Sequence, residues 1–247
     1  MLFAAIALLG ASGTSVASEN PDANQILRSA IDNWRGITSV SEMTMTINRP
    51  TWQRAMSLKA WTQGDKFSLV RLTAPVKDAG ASTLINDKQM WSYAPKINRI
   101  IKIPASMMGQ SWMGSDFSNK DIGRSTEILE QYNHTLLRSV QSEGHQVHTI
   151  VSIPHEDSPV VWGKEVLMIR DDYVILEHQY WDQDGVLVKR LKTMEVSEMG
   201  GRIIARRVRM SKLEEPEHWT EVLHHYVEFD VALPPHTFTL SNLRNPR

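Results

Sequence analysis

From Ser39 onward the chain alternates. Val40, Glu42, Thr44, Thr46 and Asn48 take one side, and Ser41, Met43, Met45, Ile47 and Arg49 the other, until Pro50 closes the run. Successive side chains leave a pleated backbone on opposite faces, so this period of two predicts a strand with Met43, Met45 and Ile47 on a shared face. The pattern returns in run after run as far as residue 232. The runs are punctuated by Gln63-Gly64-Asp65-Lys66, Asp171-Asp172, Asp182-Gln183-Asp184-Gly185 and Met199-Gly200-Gly201, all turn chemistry. Such a chain is an antiparallel meander of about ten strands, and a sheet of that width must curl and cover one face.

Two stretches interrupt the meander. Residues 20–34 predict a helix: Asp22 stands where a cap belongs, Ile26, Leu27, Ala30, Ile31 and Trp34 recur at helical spacing, and Gly36 ends the pattern. In the middle, Pro104 stops a strand at 99–103. A Met-, Gly- and Trp-rich segment at 105–114 and a polar run at 115–121 follow. Residues 125–140 fit a helix in part, or a loop with a helical turn, and 236–242 suggest a last helical turn. The expectation is a mainly β chain with helices: an incomplete, unclosed antiparallel β-barrel, broken mid-sheet, with helices covering its concave face. A space left between helices and sheet would be an apolar cavity.

Residues 2–16 are apolar and rich in small side chains, and Ser15-Val16-Ala17 fits a small-x-small cleavage pattern. Residues 1–17 therefore read as a secretory signal peptide, although the usual positive start is missing, and the run is short for a span of roughly 20 residues. Residues 18–247 form one expected domain, exported and soluble. The net charge of -1, with both signs mixed, gives no footprint for nucleic acid.

Catalytic patterns are missing. With no Cys there is neither thiolate nucleophile nor Cys-based zinc site, and the chain has no GxSxG elbow, no HExxH, no GxGxxG at a strand-to-helix junction and no P-loop. His145 and His148, three apart in a strand, face opposite ways, as do the adjacent His224 and His225. Asp171, Asp172, Asp182 and Asp184 fall in turns, where Asp serves the backbone. The expectation is no enzyme, no metal and no cofactor.

The apolar side says more. Eight Trp and twelve Met are a heavy load, and such residues either fill a curved core or line a pliable site for acyl chains. The candidate ligand-binding residues are Met43, Met45, Trp61, Trp91, Tyr93, Met107, Met108, Trp112, Met113 and Phe117. Arg99, Lys102, Asp116 and Asp121 are candidates for a head group or partner; the plainer reading of the two cations is a solvated sheet edge.

With these residues in view the chain resembles the outer-membrane lipoprotein-sorting proteins, the LolA-like family of Gram-negative periplasmic proteins. The resemblance rests on W-x-Y-x-P at 91–95, R-x-x-K-I at 99–103 and S-W-M-G-S-D-F-S-N-x-D at 111–121, flanked by Ser82-Thr83-Leu84 and by L-P-P-x-x-F at 233–238. It implies a LolA/LolB-like unclosed barrel in the periplasm. It also implies a non-enzymatic carrier, expected to be monomeric, that moves a lipoprotein or lipid by its acyl chains. An inner-membrane transporter would hand over the cargo and an outer-membrane acceptor receive it. The alternative is an accessory or docking protein of an inner-membrane export complex.

Overall fold

The fold is that of a computed structural model, which describes residues 22–245. The expected signal peptide at 1–17 lies outside the described residues.

The chain opens with α1 (Ala23–Arg35). The Asp22 carboxylate accepts the Asn24 backbone N–H at 2.9 Å, satisfying one of the free donors of the first turn. Gly36 stops the helix at φ 66°, where an added Cβ would stand 2.8 Å from the Thr38 carbonyl. Only glycine fits there.

Thirteen strands follow: β1 (Thr38–Arg49), β2 (Trp52–Gln63), β3 (Phe67–Ala74), β4 (Ser82–Asn86), β5 (Gln89–Ala94), β6 (Arg99–Ile103), β7 (Tyr132–Ser142), β8 (His145–Pro154), β9 (Lys164–Arg170), β10 (Ile175–Trp181), β11 (Leu187–Met199), β12 (Arg202–Lys212) and β13 (Trp219–Phe229). All belong to one antiparallel sheet, ordered β6-β5-β4-β3-β2-β1-β13-β12-β11-β10-β9-β8-β7. The first and last strands lie side by side, with Met43 opposite His224. The two free edges, β6 and β7, are consecutive in sequence and do not pair. The unclosed antiparallel architecture is thus the expected one, with two corrections.

The first correction concerns the break. It interrupts the sequence but not the sheet: residues 104–131 carry the chain from one free edge to the other. This crossover contains α2 (Asn119–Gly123) and α3 (Ile128–Gln131). The second concerns residues 132–142, which are strand β7 rather than helix. Tyr132, His134 and Leu136 alternate inward, whereas Leu137 and Val140, which suggested a helical stripe, are exposed on an edge strand with one neighbour.

Each face of the sheet has its own cover. On the inner face α1 packs Ile26, Leu27, Ala30 and Ile31 against Tyr132, Ile150, Leu167 and Ile169. Burying such aliphatic side chains contributes about 1.5–3 kcal/mol each. Further round the inner face Met45, Ile47, Met56, Leu58, Leu72 and Met90 form a second cluster under Trp112 of the crossover. On the outer face α4 (Leu240–Arg244) and the segment before it lay Leu243 and Phe238 on Leu69 and Leu84.

Candidate ligand-binding cavity

Between α1, the crossover and the inner face lies a cavity of about 340 Å³, within the size range of small-molecule sites. Its walls are mostly apolar. Met43, Leu58 and Val70 come from β1–β3, Leu191, Val208, Met210 and Val222 from β11–β13, and Trp112, Phe117 and Ile122 from the crossover. Trp34 and Tyr173 reach the same cavity while 42% and 43% exposed, so they mark where it meets solvent.

The crossover is pinned by buried polar contacts. Asp116 is enclosed: its Oδ2 lies 3.0 Å from Arg49 Nη1 and accepts the Thr220 hydroxyl at 2.6 Å, while its backbone N–H donates to Thr220 Oγ1 at 2.9 Å. The Trp112 indole donates to Thr83 Oγ1 at 3.0 Å. Met113 (φ 54°) and Gly114 (φ 78°) turn the chain through the left-handed region between these anchors. Ser118 and Asp121 then form a reciprocal capping box on α2. Asp121 also pairs with Lys189 of β11 at 2.5 Å.

One wall is polar. Glu165 Oε2 lies 2.6 Å from His178 Nε2, and His178 Nδ1 lies 3.1 Å from the Tyr180 hydroxyl. Both imidazole nitrogens are therefore engaged, so the ring is held between the Glu165 carboxylate and the Tyr180 hydroxyl. Burial, with Asp121 and then Glu165 adding to it, pushes the Tyr180 phenol well above its ordinary pKa. Tyr132 is raised too, by burial and then by Glu165. Across the cavity burial, and after it the charge of His225, lowers His224 to about 4.

The structure gathers four of the sequence candidates at the cavity: Met43, Trp112, Phe117 and Asp121. Met45 is sealed in the core behind the wall, and Met108 and Met113 pack against that core. Met107 is half-buried, and its carbonyl accepts from Asn119 Nδ2. Trp61, Trp91 and Tyr93 face the other way, into the outer cluster around Phe238. Arg99 and Lys102 are exposed on edge strand β6, with Lys102 Nζ 5.9 Å from the Trp91 ring. Asp116 serves its ion pair with Arg49.

Sequence reasoning missed Tyr132, Glu165, His178, Tyr180 and Lys189. Their signal was present: charged or hydroxylated side chains at inward positions of strands whose neighbouring inward positions, Leu167, Ile169 and Leu191, are apolar. Elsewhere, His145, Asp171 and Asp172 bring donor atoms within 4.8 Å of one another at the surface, but Asp172 is already tied to Arg170.

A family profile described as an uncharacterized protein matches residues 64–245, well over half of the chain. No curated protein matches the sequence. Among solved structures the fold is similar to a DUF1329 family protein from Desulfovibrio piger, with a TM-score of 0.81 at 23% identity over 90% of this chain and 97% of that one. A putative outer membrane lipoprotein-sorting protein domain from Vibrio parahaemolyticus gives 0.78 at 19% identity, over 90% and 98%. A LolA superfamily protein from Nitrosomonas europaea gives 0.72 at 17%, over 89% and 98%. At these identities the likeness is one of fold.

Proposed function

The chain belongs to the family whose profile spans residues 64–245 and has the fold of the lipoprotein-sorting proteins, and on that premise we propose that it is a non-enzymatic carrier of a lipoprotein or lipid. The observation that carries the reading is the apolar cavity of about 340 Å³ between the inner face and its cover. An acyl chain there would replace water against Met43, Leu191, Val208, Met210, Trp112 and Phe117, at roughly 25 cal/mol for each Å² of apolar surface removed from water. Met side chains suit such a guest because they repack around irregular shapes.

In this reading residues 1–17 direct export and the protein works in a Gram-negative periplasm as a monomer. It would collect cargo from an inner-membrane transporter and deliver it to an outer-membrane acceptor. Among the described residues no helix is long and apolar enough to cross a membrane. Met43, Trp112 and Phe117 would touch the acyl chain, with Met45, Met108 and Met113 supporting the wall from behind. Arg99 and Lys102 would meet a partner at the β6 edge.

The test is uptake of an environment-sensitive acyl probe by the full chain and by Val208→Trp, which fills the cavity from β12. The carrier reading expects saturable uptake, weakened about tenfold or more in the variant. Equal uptake by a folded variant counts against the cavity. A second reading, a docking accessory of an export complex, draws on the free edge of β7, where Leu137 and Val140 are exposed. It expects co-purification with membrane proteins and no lipid.

A further inference from the structure

Resting on the carrier reading, we infer that the cavity selects lipids with an uncharged, hydrogen-bonding head, such as an ester, amide or hydroxyl, over lipids ending in a carboxylate or phosphate. The site is the polar wall formed by Tyr132, Glu165 and His178.

Two observations point there. The first is a buried donor whose neighbouring acceptor, Glu165, is not placed for a well-formed hydrogen bond. Tyr132 is 4% exposed and lines the cavity, yet its hydroxyl makes no hydrogen bond of good geometry. Glu165 lies near enough to help keep that phenol protonated, so the O–H is kept as a donor. A buried hydroxyl with a poorly placed acceptor is costly, and a fold retains one readily where a guest supplies a better one. A carbonyl oxygen beside Tyr132 would do so, and an O–H or amide N–H on the same head would find the Glu165 carboxylate.

The second is the charge balance. Lys120, Arg124 and Lys189 face Asp121, Glu127 and Glu165. Lys189 is bound to Asp121 at 2.5 Å, while Arg124 and Lys120 share Glu127 at 2.8 and 3.3 Å. Arg35, also at the cavity, donates to the Gly64 and Phe67 carbonyls. Every cation at this wall is already engaged. An anionic head entering here would lose its water, meet no free cation and lie beside Glu165. A neutral head incurs none of that cost.

The experiment compares lipids of one chain length and different heads: monooleoylglycerol, oleate and lysophosphatidylglycerol. Each displaces N-phenylnaphthylamine from the full chain at neutral pH. The expected result is that monooleoylglycerol displaces the dye at about tenfold lower concentration than either anionic lipid. Tyr132→Phe, which removes only a poorly bonded hydroxyl and so should still fold, should raise the monooleoylglycerol concentration needed by about threefold and so narrow the ratio, while the two anionic lipids keep theirs. Its own dye affinity is measured directly, and each displacement is referred to it. Displacement by all three lipids at equal concentration overturns the inference and leaves the carrier reading standing, as does an unchanged ratio in Tyr132→Phe. No displacement by any lipid overturns both.

Discussion

Lys189 Nζ lies 2.5 Å from Asp121 Oδ2, with only 6% and 7% of the two side chains exposed. The pair joins β11 to α2 of the crossover, so one buried ion pair holds cover to wall. Asp121 also accepts the Ser118 backbone N–H at 2.7 Å, and the Lys189 ammonium sits 4.8 Å from the Tyr180 ring and 5.1 Å from that of Trp162. Removing one partner strands the other's charge out of water, at a cost of about 3–5 kcal/mol. Lys189→Met is therefore expected to lower the melting temperature by roughly 10 °C, at about 2–4 °C per kcal/mol for a chain of this size. Asp121→Asn should act in the same direction, and the double variant should recover much of the loss. Thermal denaturation of the four proteins measures the coupling. Simple addition of the two single losses would mean that the pair is not what fastens the cover.

Trp112 has two duties. It lines the cavity, and it is also a buried member of the cluster with Met45, Met56 and Met90, bonded to Thr83. Trp112→Glu is accordingly expected to unfold the protein rather than only empty the site, because the charge would enter that core. Trp112→Phe keeps the apolar contact but orphans the buried Thr83 hydroxyl, at about 1–3 kcal/mol. Met108→Glu, at a half-buried position, should stay folded. Near-ultraviolet circular dichroism separates the three; a native spectrum for Trp112→Glu would show the core to be softer than its packing indicates.

Gly163 precedes β9, and its place is fixed by close approach. A Cβ there would stand 2.5 Å from the Asp182 carbonyl oxygen and 2.9 Å from Gln183 Cα, both backbone atoms that cannot swing away. Gly163→Ala is expected to cost about 1–3 kcal/mol by overpacking. Gly109→Ala, with nothing within 4 Å of the new methyl, should change little. Urea denaturation midpoints check the pair, and equal midpoints would mean that the turn at 182–183 shifts freely.

Much of this fold was legible because its rules are local. Period two between Ser39 and Phe229 marked the strands, Asp22 and Gly36 bracketed α1, and the family motifs at 91–121 pointed to an unclosed barrel. Pairing was less visible. Sequence alone put residues 104–131 in the middle of the sheet, whereas the pairing of β1 with β13 makes that stretch the bridge between two free edges. The candidate site split for a related reason. Alternation says that Met43 and Trp61 belong to definite faces, but not that Trp61, Trp91 and Tyr93 have a second apolar cover in Phe238 and Leu243. Heavy aromatic content therefore pointed to two surfaces at once. The polar wall was hidden because Tyr132, Glu165 and His178 come from three strands, and only the pairing of β10 with β9, and of β9 through β8 with β7, puts them on one wall.

His224 supplies a pH dependence whose sign follows from its enclosure. Its ring lines the cavity, its Nδ1 has no hydrogen-bond partner, and burial holds its pKa at about 4 against 6.5 for an ordinary imidazole. His225, the smaller cause of that lowering, points away to Thr44 Oγ1 at 2.8 Å. Between those two values the unfolded chain binds a proton that the folded chain refuses, so stability falls as pH falls. The loss begins near 6.5, runs at no more than about 1.4 kcal/mol per pH unit and is complete below about 4. Above 6.5 this residue adds no slope. Urea midpoints at about pH 7, 6 and 5 should decline in the wild type and decline less in His224→Asn, which cannot titrate. Bound lipid should extend the wild-type decline to lower pH, since a filled cavity leaves even less water to receive the imidazolium charge. A His224→Asn curve parallel to wild type would place the acid sensitivity in other groups.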